Sequence, residues 1–149
     1  MLPNSRSPRL FLDTSVIIAA IMSPTGGARL LFHFGETGVF EIVVGKSVLN
    51  ETDEVIRCKA PNRLTDLAQM LDETRIKVSD EPSSENKNIA SALVSYVPDT
   101  LVLAEALQSR TDWFITHNRE HFLNNPKLEN LPFRIGTPGD VLLWQRERI

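Results

Sequence analysis

Apolar positions along the chain repeat with two alternating periods. Residues 9–12, RLFL, form a short unbroken apolar run suited to the inside of a sheet, and residues 39–44, VFEIVV, alternate and are rich in β-branched side chains. Residues 76–78 (IKV), 113–116 (WFIT) and 134–136 (RIG) read as three more short strands. Between them the period is helical: from Asp13 to about Met22, from Ala28 to about Thr37 with Leu30, Leu31 and Phe34 on one face, from Lys46 to about Cys58 with Ser47 as candidate cap, and over residues 61–74. Pro24, Gly26, Gly27, Gly38 and Gly45 punctuate these segments. Residues 79–88, SDEPSSENKN, hold no apolar side chain that could face a core and predict an exposed loop. Residues 89–97, IASALVSYV, are ambiguous in period and are read as helix. A helix over 100–109, with Leu101, Ala104 and Leu107 on one face, and a last one over 139–148 complete the pattern.

Strands alternating with helices at this spacing predict an α/β fold with a mainly parallel sheet. The 149 residues, 42% of them hydrophobic, suit one domain over 1–149, with residues 1–8 a flexible N-terminal extension. No apolar run nears the ~20 residues that span a bilayer. The opening MLPNSRSPR does not read as a secretory signal, so a cytoplasmic location is expected. Cys58, the single cysteine, is expected to be a small buried apolar residue. A net charge of −3 offers no overall attraction to nucleic acid, although Arg57, Lys59 and Arg63, and Arg146 with Arg148, form local basic groups that read as solvated helix ends.

Candidate chemistry enters at the strand ends. Ligands of open parallel sheets bind beyond the carboxyl ends of the strands. Asp13 ends the first strand, Asp99 stands just before a helix, and Asn118 follows WFIT, so three Asx residues occupy strand-to-helix positions on one edge. Each alone is explained by helix capping, worth about 1 kcal/mol. Capping does not require a carboxylate at both Asp13 and Asp99. On the third helix Val48, Leu49, Thr52, Val55 and Ile56 define the buried face, with Glu51 and Asp53 on its two rims and Glu54 pointing away. Periodicity leaves the choice between Glu51 and Asp53 open.

Taken in order, FLDTSV, FEIVVGKSVLNETDEV, PDTLVLAEALQSRTDWFITHNREHF and TPGDVL resemble the PIN-domain ribonucleases, a family that includes toxins of the VapC type. The resemblance implies a three-layer sandwich with a central mainly parallel sheet flanked by helices. It also implies that Asp13, Glu51 and Asp99 are metal-site acids, that Asn118 falls where the family often has a fourth Asp, and that Thr116 and Ser15 are supporting hydroxyls. Asp112 matches an acid often found before the last inner strand. His117 lies beside Asn118, and a surface or packing role suits it better than a direct one. An RNA substrate, an antitoxin partner and homodimerisation are implied by the same resemblance.

Hard cations such as Mg²⁺ or Mn²⁺ prefer oxygen ligands, and clustered carboxylates tolerate one another best around such an ion. The expected activity is therefore metal-dependent hydrolysis of RNA phosphodiesters, with Asp13, Glu51 and Asp99 as ligands and Asn118 and Thr116 placing water or phosphate. A haloacid-dehalogenase-type phosphatase wants a second Asp two residues after the first, where Ser15 stands, and no Gly-rich phosphate loop is present. The competing class is a PIN-like scaffold or RNA-binding domain that lacks turnover, for which Asn118 is the main argument.

Overall fold

The computed structural model describes residues 6–148. Its strands are β1 (Arg9–Leu12), β2 (Glu41–Val44), β3 (Lys77–Val78), β4 (Trp113–Ile115) and β5 (Arg134–Gly136). Its helices are α1 (Thr14–Met22), α2 (Gly27–Glu36), α3 (Lys46–Lys59), α4 (Leu64–Thr74), α5 (Ser84–Leu93), α6 (Val97–Gln108) and α7 (Pro138–Glu147). The strands pair in parallel throughout, in the order β3-β2-β1-β4-β5. β1 is central and covered on both sides, which is why Leu10, Phe11 and Leu12 are all fully buried and the run has no polar alternation.

The chain moves one way across the sheet from β1 to β3 and then crosses back to β4. Right-handed crossovers therefore put α1 to α4 on one face and α5 with α6 on the other. The sheet between them is the middle layer of the sandwich, and its core is built on Phe11 stacked against Phe114, with Phe122 and Phe133 packed on Phe114. The reversal makes the gap between the carboxyl ends of β1 and β4 the topological switch point. No single helix among the described residues is long and apolar enough to cross a membrane; α1 and α2 pass such a test only together, bent by 96°.

Several local expectations are revised. The predicted loop over 79–88 is helical from Ser84, because the Ser83 side chain caps α5 by accepting from Asn86 N (3.1 Å). Only Ala90 of α5 is buried, so no apolar stripe announced its start; the helix read over 89–97 is found as far as Leu93 and breaks at residues 94–96. α6 begins at Val97, which places Asp99 inside its first turn instead of at the cap. That helix is buried through Val102 to Ala106, while Leu101 is exposed, so the face predicted from Leu101, Ala104 and Leu107 is misplaced. Leu30 is likewise exposed and Phe32 buried. Gly45, not Ser47, is the N-cap of α3. Cys58 is exposed, between Arg57 and Lys59 on the outer side of α3.

The N-terminal segment contributes at the opposite edge of the sheet. Residues 1–5 of the predicted extension lie outside the described residues. Arg6 forms a two-pronged pair with Asp112 (2.8 and 3.0 Å), Asp112 accepts from Arg9 N, and Pro8 is buried. Asp112 therefore fastens the amino ends of β1 and β4 and stands apart from the carboxyl edge where Asp13 lies.

At the start of α3 the fold depends on a close approach. Glu105 of α6, almost fully buried, accepts from Ser47 N (3.2 Å) and from the Ser47 hydroxyl, which satisfies a free backbone donor at the helix N-terminus. Its carboxylate lies where a Cβ on residue 45 would be. Gly45→Ala is expected to lower stability by about 1–3 kcal/mol through overpacking, read as a lower urea midpoint; an unchanged midpoint would show that Glu105 can move aside freely.

Candidate metal centre

Asp13 stays in extended conformation (φ −79°, ψ 160°) while its carbonyl already accepts from Val16 N, so strand and helix meet on this one residue. Asp13 N donates to Ile115 O (3.0 Å), which ties the residue to the end of β4. Its carboxylate is only 8% exposed. Oδ1 accepts from Thr14 N (2.8 Å); Oδ2 accepts from the hydroxyls of Thr116 (2.7 Å) and Ser15 (3.2 Å). Burial pushes the Asp13 carboxyl above the usual carboxylate range, the three hydrogen bonds oppose that shift, and the charge of Asp99 adds to it. The carboxylate is thus held in one orientation without being neutralised by a cation.

The chain after β4 supplies the other side. Thr116 is fully buried, and its hydroxyl accepts from Asn118 N (3.0 Å) as it donates to Asp13. Asn118 caps a short π turn (Arg119–Leu123) by accepting from His121 N (3.0 Å). His117 meets Ser15 only through its backbone N–H (3.1 Å), and the residue itself is exposed.

Asp99 enters from the first turn of α6. Its Oδ2 is hydrogen-bonded to His121 Nδ1 and accepts from Asn118 Nδ2 (3.4 Å). Tyr96 stacks on the His121 ring. His121 and Tyr96 were missed in the sequence, although His121 stands at the third position after a capping Asx, the spacing that brings its backbone N–H to Asn118.

Glu51 and Asp53, on the two rims of α3, have different surroundings. Asp53 pairs with Arg57 one turn on (2.8 Å) at the rim facing α4. Glu51, on the other rim, is near enough to the site that its carboxyl is raised by burial and then by the charges of Asp13 and Asp99, with the Thr14 hydroxyl opposing. That hydroxyl is buried and has no hydrogen-bond partner at normal distance.

Asp13, Glu51 and Asp99 therefore share one electrostatic neighbourhood at the switch point, with Thr116, Asn118, Ser15 and Thr14 between them. The donors are oxygens apart from the nitrogens around Asp99, which fits a hard divalent cation. Among the described residues no three Asp, Glu, His or Cys side chains are gathered closely enough to hold a metal ion as they stand. Asp99 is committed to His121 and Asn118 instead.

Because Asp13 and Glu51 titrate above their ordinary values, the folded protein binds more protons than the unfolded chain between those two ranges. Its stability without metal falls as pH rises through that window. Glu51→Gln in EDTA is expected to raise the urea midpoint at neutral pH, the gain fading toward about pH 4, where unfolded carboxyls protonate. A gain independent of pH, or a loss, would place Glu51 outside the repulsive cluster.

The family model of the PIN domain matches residues 9–120. VapBC from Salmonella typhimurium, solved bound to DNA, superposes with a TM-score of 0.64 at 17% identity, covering 88% of this chain and 98% of that one. VapBC2 from Rickettsia felis, bound to a DNA fragment from its promoter, superposes with a TM-score of 0.61 at 16% identity, covering 86% of this chain and 98% of the other. No curated protein matches. The chain belongs to the PIN-domain family.

Proposed function

We propose that the protein is a divalent-metal-dependent endoribonuclease that acts as the toxin of a toxin–antitoxin pair. The observation that supports this reading is the buried Asp13 carboxylate at the switch point, held by Thr116 and Ser15, with Asp99 tied to the same loop through Asn118 and His121. Burial and then the charges of Asp13 and Asp99 in turn raise the Glu51 carboxyl. Mg²⁺ or Mn²⁺ is the cofactor of this reading, held by Asp13, Glu51 and Asp99. The chemistry such a cation supplies when bound is activation of water for attack on phosphorus and neutralisation of charge on the phosphoryl oxygens.

The chain's own residues set the geometry. Thr116 and Ser15 fix the direction of the Asp13 carboxylate, so Asp13 costs little reorganisation when it takes up a ligand. Asp99, bonded to His121 and Asn118, would be the third residue to hold the cation, and the Asn118 amide beside it would orient water or a phosphate oxygen. Exposed Arg119, next to Asn118, offers a cation for the RNA backbone in a chain whose net charge is −3. The two superposed structures are VapBC complexes bound to DNA, which supports an antitoxin partner here; homodimerisation belongs to the same reading.

One observation favours the alternative of a scaffold without turnover. An amide stands at position 118, and Asp99 is engaged by two nitrogen groups. Cleavage of a mixed RNA pool with Mn²⁺ or Mg²⁺ separates the two. Wild-type protein is expected to cleave only with metal, and Asp13→Asn and Asp99→Asn each to lose at least about 100-fold, since even the outer partners of metal ligands cost 10–100-fold. No metal-dependent cleavage, or cleavage indifferent to both substitutions, would establish the scaffold reading.

A further inference from the structure

Tyr96 is the large aromatic residue that packing does not explain. It is 49% exposed at the N-terminus of α6, and its ring stacks on His121 with centroids 5.1 Å apart and planes 26° from parallel. Its backbone is fixed: Thr100 N donates to Tyr96 O (3.0 Å), and the Thr100 hydroxyl lies against both Val94 O and Tyr96 O (2.8 and 3.1 Å). Pro98 follows within the first turn of the helix. The result is a rigid, half-open aromatic surface, backed by the same histidine that touches Asp99.

We propose that the Tyr96–His121 pair is a nucleobase platform, seating one base of a single-stranded RNA beside the phosphodiester that is cut. The proposal rests on the ribonuclease reading and adds to it the part of the substrate that is gripped. Stacking on an aromatic side chain is open to every base and needs no net positive charge. His121 links the platform directly to Asp99, so a base on Tyr96 sits next to the residue that carries that acid's contact.

A recess of about 370 Å³ continues past His121 and is lined by Ser91, Ser95, Glu120 and Lys127 among others. Glu120 offsets Lys127 there, and the carbonyl end of α5 borders the space, so a phosphate is disfavoured. Hydroxyls, a carboxylate and an ammonium in one polar recess suit the edge of a base, whose donors and acceptors alternate. The exposed row Tyr96, Val97 and Leu101 would also accept an apolar protein segment. The stack on His121 and the polar recess beyond it favour the base.

Binding and cleavage are read separately. Single-stranded oligoribonucleotides carrying 2-aminopurine at each position in turn are titrated with wild-type protein, Tyr96→Ala and Tyr96→Phe in EDTA. Wild type is expected to quench one position most strongly. Tyr96→Ala should lose that quenching and bind about tenfold more weakly, and Tyr96→Phe should restore both. Abasic substitution at that position should weaken wild type by a similar factor and leave Tyr96→Ala unchanged. Equal quenching and equal affinity for all three proteins, or no quenching by wild type, overturns the platform and leaves the row to a protein partner. Failure of the nuclease reading is distinct: it is loss of metal-dependent cleavage while the quenching pattern persists.

Discussion

Burying the carboxylate of Asp13 at the end of the central strand is the constraint on which the rest of the site depends. A carboxylate in that position loses most of its hydration, and among the described residues no arginine or lysine pairs with it. Three hydrogen-bond donors, from Thr14, Ser15 and Thr116, keep it oriented but leave its pKa raised. Thr116 comes from the loop after β4, so holding Asp13 also fixes the register between β1 and β4 at their carboxyl ends. The same hydroxyl accepts from Asn118 N and thereby sets the start of the π turn that presents His121 to Asp99. One buried carboxylate thus organises both loops of the switch point.

Glu51 reaches this place through a second polar contact on the other side of the sheet. Glu105 grips Ser47 at the first turn of α3, and Gly45 has no side chain in the way. With the start of the helix fixed, Glu51 one turn further on comes within reach of the charge of Asp13, and Asp53 is left to pair with Arg57. A PIN-type acid cluster is in this sense a product of helix ends: Asp13 at the start of α1, Glu51 early in α3 and Asp99 in the first turn of α6, where positive helix dipoles ease the gathering of negative charge.

Much of this was legible in the sequence because it rests on backbone pattern. The five strands and the position of Asp13 follow from runs such as RLFL and VFEIVV and from the breaks between them, whereas period left Glu51 and Asp53 equal and only the family resemblance chose Glu51. The start of α5 was hidden because the helix buries only Ala90 and is opened by a serine cap instead of an apolar face; its second half lies in the helix read over 89–97, which breaks at residues 94–96. α6 was misread at its first turn because Val97 is 78% exposed and carries no core signal. The Asp99–His121 bond could not be read from period at all, since it joins two segments that meet only when the sheet order is known. Asp112 shows the converse: it matches the family pattern yet serves the opposite edge, pairing with Arg6.

On the proposed function, the acids at the switch point repel one another until a divalent cation relieves them, with Asp13 at the centre of the cluster. Calorimetric titration of Mn²⁺ into EDTA-stripped protein tests this most directly, wild type against Asp13→Asn. Saturable binding by wild type, weakened at least about tenfold by the substitution, is the predicted result. Equal binding by the two proteins, or no binding by wild type, would contradict it.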